Sequence, residues 1–503
     1  MIKRTVILLC MILTLLNGSI EKYVEAGDKT GKYQHIDTYL QDQMKSQAIS
    51  GLAYAILEGD EVVHMKAFGR ANYGKSLTIQ TPMKIASLSK SFTSLAIMQL
   101  VDQGKVELDA PIKEYIPWFR LKDEEAAAGI TIRHLLNQTS GLPSEVVIGK
   151  GLLNKSLEDT VRLMKQLDLN HPPGTKFEYS NLNYISLGLL IEYVSGMPLA
   201  DYIETQILTP LNMNTSFTSI EGAKKSGLSK DFTSWFGMLL PTKTIMSNLP
   251  NFLASGYMVS SIEDMGKYLL MYMNKGTLAG QKLVSEKGIQ TLQTASETAE
   301  MYLDDEFFGH YAMGWWQRKV QGTVVIGHSG DLLSAARTDM YIIPEKKIGV
   351  VILTNTNTGT FAPGDSHIST DGVISILLGK EPQVGETQSY KFYYMIFDMI
   401  VIITLVGLLS YGIRLKRNLG NRYRISTWTL IMTALQILLP IIIFIALPKF
   451  LGAPSWGFFF CVQSDMTCVL LFTMLTIFAF GLTKIVWMLL IFKKKVKTKQ
   501  FPN

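Results

Sequence analysis

Ile85-Ala86-Ser87-Leu88-Ser89-Lys90-Ser91-Phe92-Thr93 sets a serine three residues before a lysine. It heads an apolar run through Leu95, Ala96, Ile97, Met98, Leu100 and Val101 that stops at Gly104. The run predicts a helix over 91–102. Positions i and i+3 share one helix face, so if the helix begins at the serine, Ser87 Oγ and Lys90 Nζ meet. Unpaired N–H groups at a helix N-terminus favour negative charge developing there. A helix apolar nearly all round is a buried one, and burial works against the charged form of an amine, which lets Lys90 accept a proton. These are the requirements of an activated serine nucleophile without a Ser-His-Asp triad. The same residues also fit an ordinary capped helix whose lysine reaches solvent, and Ser-x-x-Lys recurs at Ser19-Ile20-Glu21-Lys22.

The chain has 503 residues, room for two or three units, and its 47% apolar content is concentrated at the two ends. Residues 1–26 read as an export signal: basic Met1-Ile2-Lys3-Arg4, an apolar run over 5–16 too short to span a bilayer, and Val24-Glu25-Ala26 as a cleavage site. An uncleaved anchor is the alternative. Residues 392–413, 427–447 and 466–492 are each long enough for a transmembrane helix of ~20 residues. Arg414, Lys416, Arg417, Arg422 and Arg424 lie between the first two spans with no acid among them. Lys493, Lys494, Lys495, Lys497 and Lys499 mark a basic tail at 493–503. The positive-inside rule puts both clusters in the cytoplasm, and therefore everything before residue 392 outside. These ten charges exceed the net +6 of the chain, leaving about −4 on the remainder. The basic balance thus reflects topology and gives no reason to expect nucleic-acid binding. Asp398 and Lys484 fall inside the first and third spans. At ~1.5 Å per residue they lie roughly 10 Å below the outer edge and roughly 13 Å above the inner one, so they either pair or snorkel to the nearer surface. Cysteine occurs only as Cys10, Cys461 and Cys468, so 27–385 has no disulfide framework.

Residues 27–385 read as one exported domain. An amphipathic helix is expected over 34–45, then a strand pair over 51–57 and 61–69 turning at Glu58-Gly59-Asp60. The middle, 106–280, is mostly helical, with helices over 132–136, 157–167, 185–194, 199–207 and 262–273. Strands return over 312–319, 323–327, 338–343 and 347–354, and a helix over 368–378 closes the domain. Strands early and late with helices between them imply an α/β-type sheet domain built from both ends of the sequence and interrupted by a helical subdomain. The cleft where the two meet is the natural site.

Two further stretches carry chemistry. Pro172-Pro173-Gly174-Thr175-Lys176-Phe177-Glu178-Tyr179-Ser180-Asn181 is a rigid turn that delivers Tyr179 and Asn181 just before a helix. A tyrosine near cations can accept a proton, and an asparagine can orient a substrate amide. Tyr272-Met273-Asn274 repeats that spacing for no evident reason. Val324-Val325-Ile326-Gly327-His328-Ser329-Gly330-Asp331 is a strand with a polar end, whose edge can bind an extended substrate by β-addition. Lys225-Ser226-Gly227 competes as a pattern but has no strand before it. The other histidines show no metal-ligand spacing and no glycine-rich phosphate loop follows a strand, so no metal or cofactor is expected.

In this order the three elements resemble those of the serine hydrolases related to class C β-lactamases and serine-type D-Ala-D-Ala carboxypeptidases, which are penicillin-binding-protein-like. The resemblance covers roughly 35–380. It extends to Gly104-Lys105-Val106-Glu107-Leu108-Asp109-Ala110-Pro111-Ile112, to Ile130-Thr131-Ile132-Arg133-His134-Leu135-Leu136-Asn137-Gln138-Thr139-Ser140-Gly141-Leu142-Pro143, to Ala254-Ser255-Gly256-Tyr257-Met258-Val259-Ser260-Ser261 and to Met313-Gly314-Trp315-Trp316. It implies an α/β (α+β) fold of an antiparallel sheet flanked by helices plus an all-helical subdomain, here followed by three transmembrane helices. It further implies that Ser87 is the acylated nucleophile, that Lys90 helps deprotonate it, and that Tyr179 shares or relays that proton and later activates water. Asn181 would bind the substrate amide, and His328, Ser329 and Gly330 would occupy the place of a lysine-threonine-glycine strand motif. The oxyanion hole would be the backbone N–H groups of Ser87 and Asp331, where losing one donor typically costs ~100–1,000-fold in rate. The departure is His328. β-Lactamases of this class usually carry lysine there, whereas histidine is more at home among the family's peptidases and esterases, and its charge near neutral pH is not guaranteed. Arg337 is either a fixed cation for an anionic substrate or a surface residue at a strand start. His134 lies in a segment resembling a family structural helix and reads as packing.

The expectation is a multi-pass membrane protein with its catalytic domain outside the cell. It would be a serine hydrolase acting through an acyl-enzyme on D-alanyl peptides or esters of the cell envelope. Its partners would be a small-molecule or peptidoglycan-type substrate and the lipid bilayer. The alternatives are a general esterase, a β-lactamase, or a penicillin-binding sensor or scaffold with little turnover whose three spans signal or recruit.

Overall fold

The strand pair expected near the N-terminus lies toward one edge of the main sheet. Helix α1 (Lys29–Ser46) leads into β1 (Gly51–Glu58) and β2 (Glu61–Asn72), with β3 (Lys75–Ser76) at the edge. The structure, a computed structural model, describes residues 29–144, 155–242, 249–303, 305–332, 335–357, 370–382, 390–420, 426–450, 456–462 and 464–500. The signal expected over 1–26 lies outside them.

Strand β4 (Met83–Lys84) runs into the Ser87 turn and helix α2 (Ser89–Asp102). The helical middle includes α3 (Asn181–Ser195). It is followed by a hairpin of β5 (Asp231–Trp235) and β6 (Met238–Thr242), then β7 (Val259–Ser260) and α4 (Ile262–Met273). Six more strands of the main sheet follow: β8 (Glu300–Leu303), β9 (Glu306–Ala312), β10 (Trp315–Val320), β11 (Thr323–Leu332), β12 (Ala336–Ile343) and β13 (Ile348–Thr354). The nine-stranded sheet has the order β8-β9-β10-β11-β12-β13-β1-β2-β3 and is antiparallel throughout. Early and late strands therefore meet inside the sheet, where Leu52 faces Thr354 and Leu57 faces Gly349.

Both faces of β1 are buried, and period-2 alternation of side chains explains its apolar sequence. Ala53, Ala55 and Leu57 join the large core, which also holds α2, α3 and α4. Leu52, Tyr54 and Ile56 point the other way, onto Ile36 and Leu40 of α1 and Val373 and Ile374 of the closing helix α5 (Thr370–Leu377). Helix α2 is buried from Ser89 to Leu100, as its all-round apolar sequence predicts.

Two strand pairs differ from the sequence expectation. The β8–β9 pair extends the sheet before the strand expected at 312, and the β5–β6 hairpin lies in the stretch read as helical. The first lies at the edge of the sheet with a register shift after Met301 and Gly309 within β9, and the second is a separate two-stranded sheet with Pro241 in β6, features that weaken a strand signal.

Among the described residues, three helices are long and apolar enough to cross a membrane: α6 (Tyr390–Gly420), α7 (Thr427–Phe450) and α8 (Ser464–Gln500). Helices α6 and α8 run past the expected spans into their basic flanks, because lysine and arginine are good helix formers. Asp398 and Lys484 do not pair. Asp398 lies in a groove beside the β5–β6 turn, while Lys484 Nζ sits 5.3 Å from the ring centroid of Tyr411. Tyr411 is 13 residues along α6 from Asp398, roughly 20 Å at the helical rise, so a lysine that reaches the tyrosine is too far from the acid.

Candidate active site

The chain enters the site through a strained turn. Ala86 holds φ 50°, a left-handed conformation costly for a residue with a Cβ, and its neighbours pin it there. Ile85 N–H donates to Met258 O at 3.1 Å, and Thr338 Oγ1 donates to Ile85 O at 2.8 Å. Ser89 Oγ donates to Ala86 O at 2.7 Å and accepts from Met258 N–H at 3.1 Å. Ala86–Leu88 is a single 3₁₀ turn that passes into α2 at Ser89. In that geometry residues i and i+3 eclipse, so Ser87 and Lys90 still meet although the α-helix proper starts two residues after the serine.

Lys90 is fully buried. Its Nζ donates to Ser87 Oγ at 3.3 Å, to Asn181 Oδ1 at 2.6 Å and to Ser255 O at 2.6 Å. It also lies 4.8 Å from the ring centroid of Tyr179 and 5.5 Å from that of Tyr184. At least three acceptors thus face Nζ, matching the three N–H donors of an ammonium. Burial alone pointed to a lysine free to take a proton; these acceptors point instead to a lysine held as a cation. Tyr179 OH donates to Ser87 Oγ at 2.9 Å, and its ring centroid lies 6.4 Å from that of His328.

The rigid turn that carries Tyr179 is supported from below. His134 closes a capping box on Ile132–Leu136, and burial holds its imidazole below the usual histidine range. A Cβ on Gly174 would stand 2.8 Å from His134 Nε2. The packing reading of His134 therefore holds, and the residue it supports is the turn of the second motif. Ser180 caps α3, which starts at Asn181 and sets its side chain against Lys90.

His328, Ser329, Gly330 and Asp331 all lie on β11. A Cβ at Gly330 would meet Ile85 O at 2.6 Å and Ala86 Cβ at 2.8 Å, so only glycine lets this strand close on the Ser87 turn. Arg337, opposite Asp331, turns both its N–H and its C=O to Thr354 Oγ1 of β13. In an antiparallel ladder the backbone groups of the facing residue then point to the far side. The Asp331 N–H is directed off the β11 edge, beyond Gly327, where pairing with β10 has stopped. Ser329 Oγ donates to Asp339 and lies 3.2 Å from Tyr341 OH.

His328 is 1% exposed. Its Nδ1–H donates to Ser329 O at 2.6 Å, because a carbonyl can only accept, and Nε2 then accepts from Tyr311 OH at 3.1 Å. One donor and one acceptor describe a neutral imidazole. Burial, followed by the nearby Lys90 charge, holds its pKa down at about 3, while burial pushes that of Tyr311 far above its ordinary range. The ring stacks on Trp316 at 4.4 Å. Arg337 is an ion-pair residue: it reaches Asp331 Oδ2 at 3.3 Å and Asp339 Oδ2 at 3.9 Å.

Ser87, Tyr179 and Asn181 are thus brought together around Lys90, and the third motif packs on the same turn. The competing patterns lie elsewhere: Lys225 ends a short helix, and Tyr272 is buried within α4. Sequence reasoning missed Ser255 as a partner of Lys90, although its segment was among those showing the resemblance, and it missed Tyr311 and Trp316 around His328. Those contacts join residues far apart in the chain, which local pattern does not encode.

Residues 36–370 match the family described as Beta-lactamase. Over 484 residues, 92% of this chain and 92% of the relative, the sequence is 27% identical to Protein flp of Staphylococcus aureus (strain N315). Over 323 residues, 62% of this chain and 59% of the relative, it is 26% identical to unguisins hydrolase ungD' of Aspergillus campestris. The octameric penicillin-binding protein homologue from Pyrococcus abyssi is similar in structure, with a TM-score of 0.59 and 29% identity over 71% of this chain and 79% of that one. The match spans the sheet, the strained serine turn and the β11 edge alike, and the chain belongs to the β-lactamase family.

Proposed function

We propose that this protein is a membrane-held serine hydrolase that works through an acyl-enzyme outside the cell. The observation that carries the reading is that Ser87 Oγ lies within hydrogen-bond reach of both Lys90 Nζ and Tyr179 OH. Ser87 Oγ attacks the acyl carbonyl and its proton passes to Tyr179, which reacts as the phenolate that the adjacent Lys90 cation stabilises. The same proton moves to the leaving group as the acyl–leaving-group bond breaks. Water then adds to the ester carbon, giving a proton to Tyr179, and Ser87 Oγ regains one as it departs. The N–H groups of Ser87 and Asp331 receive the oxyanion. Asn181 Oδ1 orients Lys90.

The substrate class we favour is D-alanyl esters of the cell envelope, ahead of D-alanyl peptides that end in a carboxylate. His328 is neutral, and Arg337 is already engaged by two carboxylates. Among the described residues the third motif therefore offers no uncommitted cation for a substrate carboxylate. The test is to give full-length protein in detergent a soluble D-alanyl ester and, separately, benzylpenicillin, with Ser87→Ala as control. Release of D-alanine by the wild type alone is the expected result. A stable penicillin adduct without ester turnover would assign the chain to penicillin sensing, and hydrolysed penicillin would assign it to β-lactam hydrolysis.

A further inference from the structure

The β5–β6 hairpin reaches away from the catalytic cleft to the spans. Its two-residue turn, Phe236-Gly237, has φ of 48° and 73°, the pattern of a type I′ turn. Phenylalanine is an unusual choice at a left-handed position. It is held there by its N–H, which donates to Asp465 Oδ2 at 2.8 Å, on a fully buried carboxylate at the start of α8. The Phe236 ring lies 5.7 Å from that of Phe397 on α6, and a Cβ on Gly237 would touch Tyr394 at 3.5 Å. The turn is thus seated between the first and third spans at their outer end.

Below it is a groove of about 580 Å³, lined by Phe236, Gly237, Met238 and a strip of α6. That volume falls within the ~300–1,000 Å³ of small-molecule sites. The strip comprises Tyr394 and Met395, Asp398 and Met399, and Ile402 and Ile403, pairs four residues apart on one helix face. Met395, Met399, Ile402 and Ile403 are 60%, 55%, 61% and 63% exposed, so this face looks into the bilayer. Asp398 is its one charged residue, and it forms no ion pair among the described residues. An acid at this depth demands a cation, and Lys484 is engaged with Tyr411 instead.

We propose that this groove is a lipid site, and that its occupant is a membrane phospholipid carrying a primary amine in its headgroup. The ammonium pairs with Asp398 beneath the hairpin turn while one acyl chain lies along Met395, Met399, Ile402 and Ile403. Charge complementarity selects the amine, and continuity of the strip with the bilayer selects a lipid over a soluble ligand.

The test uses full-length protein exchanged from detergent into equimolar phosphatidylethanolamine and phosphatidylglycerol, with retained lipid counted by native mass spectrometry. The wild type should keep the amine lipid about tenfold over the other, the scale of one charge-assisted hydrogen bond. Asp398→Asn should abolish the preference and Asp398→Glu should retain it. Equal retention of the two lipids by the wild type, or a preference that Asp398→Asn leaves intact, overturns the proposal.

Discussion

His328 shows how burial decides the chemistry of a single residue. An imidazole in an unfolded chain titrates near 6.5, whereas this one is held at about 3. Between those values the unfolded state binds the extra proton, so folding stability rises with pH across the window and is lost as pH falls from about 6.5. The full-length protein should therefore lose thermal stability between pH 6.5 and pH 5, above the range where most carboxylates titrate. His328→Gln should flatten that loss, and an unchanged slope would mean that the ring is not held neutral. The same residue marks a limit of the sequence. The histidine and its strand were legible from the pattern Gly327-His328-Ser329-Gly330, but its neutrality was not. Neutrality depends on Tyr311 and Trp316 from two other strands and on burial that no local window reports. Lys90 is a parallel case: its spacing from Ser87 was readable, but its acceptors Asn181 and Ser255 come from 91 and 165 residues away.

Among the elements, β4 and β5 deserve comparison, because they tie the hairpin to the nucleophile. Lys84, the last residue before Ile85-Ala86-Ser87, forms an ion pair with Asp231 at the base of the hairpin, with side chains 9% and 8% exposed. Phe232 N–H donates to Asn355 O at 2.9 Å just beyond β13, so the hairpin base is also joined to the sheet. Removing one partner of a buried pair leaves an uncompensated charge and costs about 3–5 kcal/mol, while replacing both with apolar residues is often close to neutral. Asp231→Asn should lower the thermal unfolding midpoint far more than the double variant Lys84→Met/Asp231→Leu. Equal losses would show that packing, and not charge, sets the cost. Helices α2, α4 and the three spans were legible because their apolar residues recur at helical period or run without interruption. The hairpin was not, because Met238-Leu239-Leu240-Pro241 carries an apolar run and a proline where alternation would mark a strand, and its partners are membrane residues more than 150 positions later.

At the scale of the whole molecule, charge and hydropathy predict orientation. The positive-inside rule predicts a cytoplasmic place for the clusters at 414–424 and 493–499, and the opposite side for the β-lactamase-family domain. In a background with the three native cysteines replaced, an impermeant thiol reagent should label Tyr73→Cys, an exposed site, in intact cells, and Lys416→Cys only after permeabilisation. The reverse pattern would invert the topology and with it the envelope substrate. The place of β1 inside the sheet, beside β13, has a further consequence, one of timing. Its partner β13 is made about 300 residues later, and a ribosome adding roughly 5–20 residues per second needs roughly 15–60 s to reach it. Through that interval β1 has β2 on one side and an open edge on the other, the kind of edge that invites pairing with another chain. The first span begins only 36 residues after β13 ends. The sheet thus closes just before the chain commits to the bilayer, and whatever shields the open edge of β1 must act during synthesis.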